Sequence, residues 1–256
     1  LYMANNIEYQ FEFLCHAMRM QLEQIIKYPD LVDIDEKEAI FNVEISIKST
    51  LDAFHNVYDA IQESSNKSIN WYNYPELHFI LSLRNAKHHN KGVKSIFFED
   101  KDCFYVDYLQ KNKDIQPCII YPFRWIDIYN YIMRDKKGCC KYKALESYLN
   151  VNIFEKELNN NGLDKELIYI NIIPLMLQAG SKLLDICREY IPRELDSCEA
   201  KTFINLFKDR SECVPKCIYP YNKEAYKSDI NNINKLTERI YGKNAPYFKD
   251  IRYNAS

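Results

Sequence analysis

The sequence predicts a mainly α-helical protein, and three observations lead to that prediction. Apolar residues recur every three to four positions over most of the 256 residues, which is the period of an amphipathic helix. Only five glycines are present, so tight turns and glycine-rich phosphate loops have few candidates. The chain is 47% hydrophobic and 27% charged, a balance that supports a folded core. We therefore expect one helical domain over residues 1–256.

Two long helices open the chain. The first is expected to end at about Tyr28 and Pro29, and Asp35, three residues before Glu38, is typical of the capped start of the second. The apolar positions of the first helix are Ile7, Phe11, Leu14, Met18, Leu22 and Ile25. Those of the second helix are Ile40, Val43, Ile47, Leu51, Phe54, Tyr58 and Ile61. Each set forms one stripe, so both helices are expected to bury one side in a common core.

A third helix is expected after a polar loop at residues 63–74. Pro75 suits the first turn of this helix, because the N–H that proline lacks would be unpaired there in any case. Asn90, Lys91 and Gly92 are typical of a helix end, so the third helix is expected to stop just before them.

Residues 95–135 form an aromatic-rich insertion in the predicted bundle. Residues 102–109 have the composition of a strand, which allows a small β-hairpin with residues 118–121. Pro122 is expected to open another helix. The aromatic rings of the insertion favour a place in a core or a dimer interface, and the alternative is stacking on single-stranded bases.

Additional helices are expected towards the C-terminus. The longest spans residues 163–191, is apolar nearly all round at its start, and should be kinked by Pro174. Shorter helices are expected near residues 143–149, 198–208 and 222–241.

Charge and cysteine content limit the functional classes. The formal net charge is −2, so binding to a nucleic acid has to rest on a local patch rather than on the whole surface. Nine cysteines, with no secretory leader at the start of the sequence, predict reduced thiols in the cytoplasm. The apolar stretch at residues 167–180 is too short to span a bilayer, so no membrane partner is expected.

Two cysteine pairs are candidates for a structural metal site. Cys139 and Cys140 are adjacent, and Cys213 is followed by Cys217 four residues later. A structural zinc ion needs four ligands, and neither pair has a second pair at finger-like spacing nearby. No metal and no other cofactor is therefore expected.

The stretch LRNAKHHN, residues 83–90, holds two of the five histidines of the chain at the end of the third helix. Its residues Arg84, Asn85 and His89 form the pattern R-N-x-x-x-H. Cleavage of RNA by its own 2′-hydroxyl needs a base and an acid, and histidine can serve as either. A guanidinium stabilises the negative charge on the phosphoryl oxygens, and an asparagine can hold a phosphate oxygen or orient the histidine. These residue types suffice for metal-free phosphodiester cleavage.

The pattern resembles the R-x(4–6)-H signature of the HEPN superfamily, in which a polar residue often follows the arginine. The resemblance covers the three predicted helices up to the motif and extends to the helix expected over residues 163–191. It implies a compact helical bundle and a metal-independent ribonuclease of the toxin–antitoxin, phage-defence or CRISPR kind. It also implies a homodimer whose two motifs face each other across the interface, and an antitoxin or defence-system partner.

One position departs from a subgroup of that superfamily. HEPN toxins paired with nucleotidyltransferase antitoxins often carry a tyrosine two residues after the histidine, as the site of AMP transfer. Lys91 stands at this position here, which disfavours that subgroup and leaves the other HEPN roles open.

The catalytic histidine is either His89 or His88. On a straight helix Arg84 and His89 lie about 140° apart, whereas Arg84 and His88 lie about 40° apart. The superfamily spacing favours His89, which is our first choice, and the helix geometry favours His88.

Polar residues elsewhere are candidates for supporting this site. Asp52, His55 and Asp59 on the second helix share one face, where a carboxylate would orient Arg84 or fix a histidine tautomer. Three lysines, namely Lys87, Lys91 and Lys94, form a basic patch with Arg84 that suits RNA binding, and the alternative is a solvated helix end.

Two other functional hypotheses remain open. The first is a non-catalytic helical module that binds RNA, a nucleotide or a protein partner. The second, a metal-dependent enzyme that uses the histidine pair, ranks last because no carboxylate cluster accompanies the motif. In a purely structural role, Arg84 would cap a neighbouring helix. His88 and His89 would then simply lie at the C-terminal end of the third helix, next to the negative end of its dipole.

Overall fold

The computed structural model confirms a mainly helical fold. It describes residues 6–32, 34–88, 104–110, 121–133, 140–192, 195–207 and 213–220. The α-helices in these ranges are α1 (Asn6–Val32), α2 (Glu36–Ser64), α3 (Pro75–His88), α4 (Trp125–Ile128), α5 (Cys140–Tyr148), α6 (Val151–Asn160), α7 (Ile173–Cys187) and α8 (Cys198–Phe207). The strands are β1 (Phe104–Gln110), β2 (Pro122–Arg124), β3 (Ile168–Asn171) and β4 (Cys213–Pro220). The buried apolar side chains of the helices and of β2 and β3 form one cluster.

The first two helices form an antiparallel pair with a capped turn between them. The side chain of Asp35 accepts a hydrogen bond from the backbone N–H of Glu38 at 2.9 Å, which confirms the predicted helix start. The buried hydroxyl of Thr50 donates to the carbonyl oxygen of Ala17 at 3.1 Å and so ties α2 to α1. The first helix continues to Val32, so the end predicted at Pro29 was one turn early. A proline this close to a helix end removes only one N–H donor.

The third helix begins at Pro75, as predicted, and runs through the centre of the fold. Residues 77–83 are all buried, and α3 contacts α2, α5 and α7. After this buried stretch, side chains of α3 are partly exposed in its last turn, where Arg84, Asn85 and Lys87 are half-buried. The motif therefore lies where α3 leaves the core.

A mixed four-stranded sheet lies beside the helices, in the order β2-β3-β1-β4. Its central pair, β1 and β3, is parallel, whereas β4 and β2 pair antiparallel with β1 and β3 respectively. Residues 102–109 were predicted to be a strand, and β1 confirms this. The neighbours of β1 are β3 and β4, whereas most of the segment expected to form a hairpin with it, at residues 118–121, lies outside the described residues. Such pairing joins segments far apart in the chain, which local sequence patterns do not reveal.

The single kinked helix predicted over residues 163–191 is wrong. Residues 168–171 form β3, buried at all four positions, and Pro174 lies in the first turn of α7. A continuous apolar run suits a buried strand as well as a buried helix. Proline is favoured in a first turn, so Pro174 marks a helix start rather than a kink.

The remaining segments differ from prediction mainly around Pro122. This residue begins β2 rather than a helix, and α4 follows it and continues into a π-helical turn at residues 129–133. The helices predicted near residues 143–149 and 198–208 are confirmed by α5 and α8, whereas α6 was not predicted. The helix expected at residues 222–241 lies outside the described residues. Within the described ranges, no helix has the length and apolar character needed to cross a membrane.

Asn171 joins β3 to α7 from a fully buried position. Its side-chain oxygen accepts hydrogen bonds from the backbone N–H groups of Tyr121 at 3.0 Å and Ile173 at 3.2 Å. The residue thus satisfies donors in two segments of the chain at once, which fixes the start of α7 against the edge of the sheet.

We expect Asn171→Ala to lower the free energy of unfolding by about 2–4 kcal/mol, because two buried N–H groups lose their acceptor. Urea denaturation followed by circular dichroism measures the difference. The matched control is Asn160→Ala at the exposed end of α6, which should change stability by less than about 0.5 kcal/mol. Equal losses in both variants would contradict the assigned role of Asn171.

Candidate functional site

Arg84 is the centre of the candidate site, and α2 supplies its partner. The guanidinium Nε donates to Oδ1 of Asp52 at 3.0 Å, and Nη1 donates to Oδ1 of Asn85 at 3.3 Å. The side chain of Arg84 is 20% exposed and that of Asp52 is 35% exposed. The structure thus brings together three predicted site residues, and Asp52 orients Arg84 as one of the predicted roles requires. We call Arg84, Asn85 and Asp52 the Arg84 site.

One nitrogen of the guanidinium has no partner among the described residues. The contacts to Asp52 and Asn85 use Nε and Nη1, and no partner for Nη2 occurs among the described residues. Since Oδ1 of Asn85 faces Arg84, the Nδ2 group of the same side chain is left as a donor. Two donors of different charge therefore stand side by side, an arrangement that suits the oxygens of a phosphate.

A histidine–carboxylate pair lies further along the same side of α2. Nδ1 of His55 is 3.1 Å from Oδ2 of Asp59, and the two side chains are 24% and 59% exposed. The ring of His55 also meets the ring of Tyr58 edge-on, with the centroids 6.4 Å apart. Burial, followed by the charges of Tyr72 and Asp59, raises the pKa of Tyr58 above its usual value, so this phenol stays neutral. The predicted shared face of Asp52, His55 and Asp59 is therefore present, with Asp59 rather than Asp52 holding the histidine.

Lys87 is a packing residue in this structure rather than part of a free basic patch. Its ammonium lies 2.7 Å from Oε2 of Glu44 and 5.4 Å from the centre of the Phe123 ring. The side chain is only 17% exposed. Its position links α2, α3 and β2 and gives no support to the predicted contact with RNA. Sequence reasoning missed Glu44 and Phe123, since only the tertiary fold brings them to Lys87.

The structure describes only one of the two candidate histidines of the motif, His88. α3 remains helical to His88, which therefore lies one turn beyond Arg84 along the same helix. His89 lies outside the described residues, as do Lys91 and Lys94.

The other two histidines of the chain have packing roles. His78 is buried, with the rings of Tyr72 and Tyr142 at 5.2 Å and 5.1 Å. His16 lies 3.5 Å from Glu199, whose carboxylate also binds Arg19, so this group fastens α1 to α8.

The cationic side chains in the described contacts around the Arg84 site are paired with carboxylates. Two cationic side chains, Arg84 and Lys87, face the three carboxylates of Glu44, Asp52 and Asp59. A polyanion is therefore not attracted by a broad positive field in the described part of this surface. The site holds one oriented guanidinium, which favours recognition of a single phosphate group.

The described residues offer little to a metal ion. They contain no group of three or more histidine, cysteine or acidic side chains arranged to hold one. Burial raises the pKa of the Cys187 thiol to about 12 and raises that of Cys15 as well, which disfavours the thiolate that metals bind.

Comparison of the chain with models of protein families, with curated proteins and with solved structures gave no match.

We expect the contact between Arg84 and Asp52 to show an interaction free energy of about 0.5–1 kcal/mol, because the pair is partly exposed. A double-mutant cycle with Arg84→Ala and Asp52→Ala, read by urea denaturation, measures it. The control cycle uses Lys182 and Asp185, an exposed pair on α7 that should give a value near zero. An interaction no larger than that of the control would show that Asp52 does not hold Arg84 in solution.

Proposed function

We propose that the protein is a metal-independent endoribonuclease of the HEPN type, acting as a toxin or phage-defence effector. One observation carries the proposal: Asp52 and Asn85 hold Arg84 in the half-buried last turn of α3, and no described residue contacts Nη2. The R-N-x-x-x-H pattern of the sequence adds a histidine, His89, five residues after Arg84.

The reaction is attack by the 2′-hydroxyl of RNA on the adjacent phosphorus. The bond from the 2′-oxygen to phosphorus forms, the bond to the 5′-oxygen breaks, and the products are a 2′,3′-cyclic phosphate and a 5′-hydroxyl. Arg84 stabilises the charge that gathers on the phosphoryl oxygens, and Asn85 donates a hydrogen bond to one of them. His89, with His88 as the alternative, transfers a proton to the leaving oxygen.

Purified wild type should cleave total RNA in EDTA, because the proposed reaction uses only protein side chains and no metal ion. Arg84→Ala should lower the rate about 100- to 1000-fold, which is typical for loss of one charge-stabilising donor. Whichever of His89→Ala and His88→Ala loses activity identifies the histidine that transfers the proton. Gel electrophoresis measures the rate, and a kinase-coupled assay of the ends identifies the cyclic phosphate.

The control is Lys156→Ala, a change at an exposed position on α6 that should leave cleavage unchanged. Circular dichroism checks that each variant is folded. Cleavage that survives in Arg84→Ala would overturn the proposal, as would activity that is lost in EDTA. Binding of RNA without any cleavage would instead favour the non-catalytic module.

The proposed enzyme is a homodimer, and exposed apolar side chains on α1 and α2 supply its interface. Phe41 and Ile45 are 63% and 64% exposed, and helical spacing puts them on the same side of α2 as Asp52 and Asp59. The neighbouring α1 adds three more exposed apolar side chains: Tyr9, Phe13 and Met20. Apolar surface of this kind is typical of an interface, and a second copy docked here brings its own Arg84 site next to the first.

We expect Phe41→Glu combined with Ile45→Glu to convert the dimer to a monomer, because each change places a charge in an apolar interface. Sedimentation equilibrium measures the mass of the particle, which is 30.6 kDa for one chain. Ile153→Glu, at a position on α6 that is 55% exposed, is the matched control and should stay dimeric. A monomeric wild type would contradict the proposed assembly.

A further inference from the structure

The proposed reaction needs two proton transfers, and the motif accounts for only one of them. A base must take the proton of the 2′-hydroxyl, and an acid must give one to the 5′-oxygen. Of the described histidines, His78 is buried and His16 shares Glu199 with Arg19 between α1 and α8. His55 is partly exposed and lies on the side of α2 that holds Arg84.

Helical spacing places His55 beside the Arg84 site. Asp52 precedes His55 by three residues, and side chains with this spacing are neighbours, with Cβ atoms about 5–6 Å apart. Oδ1 of Asp52 lies 3.0 Å from Nε of Arg84, so His55 stands about one helical turn along α2 from the carboxylate that holds the guanidinium.

The contact with Asp59 suits His55 to act as a base. Oδ2 of Asp59 lies 3.1 Å from Nδ1 of His55, so the carboxylate stands beside this nitrogen and Nε2 is the nitrogen left to take a proton. When Nε2 takes a proton, the same carboxylate stabilises the imidazolium that forms. The edge-on contact with Tyr58 further restricts the imidazole ring of His55. Asp52, three residues earlier on α2, is the next carboxylate along the helix.

We propose that His55, oriented by Asp59, is a catalytic residue that removes the proton from the 2′-hydroxyl of the RNA. This inference rests on the proposed ribonuclease function. In the balanced step, Nε2 of His55 takes the 2′ proton while the 2′-oxygen bonds to phosphorus. The motif histidine gives a proton to the departing 5′-oxygen, and His55 then returns its proton to water.

The test compares two substrates in EDTA: an RNA dinucleotide and a uridine 3′-(p-nitrophenyl phosphate). The nitrophenolate leaves without a proton, so this ester needs the base but not the acid. His55→Ala should lose about 100- to 10,000-fold in kcat/KM on both substrates. His89→Ala, or His88→Ala if that residue is the acid, should lose activity on the dinucleotide and regain most of it on the ester.

Further variants separate catalysis from folding. His55→Gln keeps the size of the side chain without a base and should match His55→Ala. Asp59→Asn should give a smaller loss. Asn160→Ala, at the exposed end of α6, should behave as wild type. In both His55 variants the acidic limb of the pH profile of kcat/KM should disappear, which loss of a merely structural contact would not cause.

Each outcome decides between the two proposals. If wild type cleaves and both His55 variants stay within threefold of Asn160→Ala, His55 is not the base and the ribonuclease proposal stands. If the His55 variants regain activity on the ester, the residue is the acid and our assignment is wrong. If folded wild type cleaves neither substrate, the proposed function and this inference both fall.

Discussion

The enclosure of α3 by α2, α5 and α7 is the constraint on which the candidate site depends. Residues 77–83 are buried on every side of the helix, so α3 cannot turn or slide without opening the core. The position of Arg84 is thus set by apolar packing that takes no part in binding. The polar groups of α2 then only have to hold a side chain whose backbone is already fixed.

Ion pairs hold the last turn of α3 at two points. Arg84 binds Asp52, and Lys87 binds Glu44 two turns away along α2. Such contacts leave the guanidinium little freedom, which lowers the entropy lost when it binds a ligand. They also pair both cations with carboxylates, so this part of the described surface has no strong positive field.

Local spacing was enough to predict the elements whose contacts are local. The first three helices and the Asp35 cap follow from helical periods and from terminal residue types, whereas the contact of Asp52 with Arg84 was only one of two roles predicted for a carboxylate on α2. The sheet does not follow from these, because β1 pairs with segments that come much later in the chain. The buried run at residues 168–171 suits a strand as well as a helix, so only tertiary pairing decides its structure. The surroundings of Lys87 depend on three separate segments, which no periodicity connects.

The order of the strands in the sheet has a consequence for the growing chain on the ribosome. β1 is made early, yet its parallel neighbour at residues 168–171 and its antiparallel neighbour at residues 213–220 follow only later. The three N-terminal helices can meanwhile contact one another, since Arg84 and Asp52 are only 32 positions apart. We expect synthesis to yield first a helical intermediate that already carries the arginine and its carboxylate. The unpaired edges of β1 then stay open to solvent, and to chaperones, until the last strand emerges.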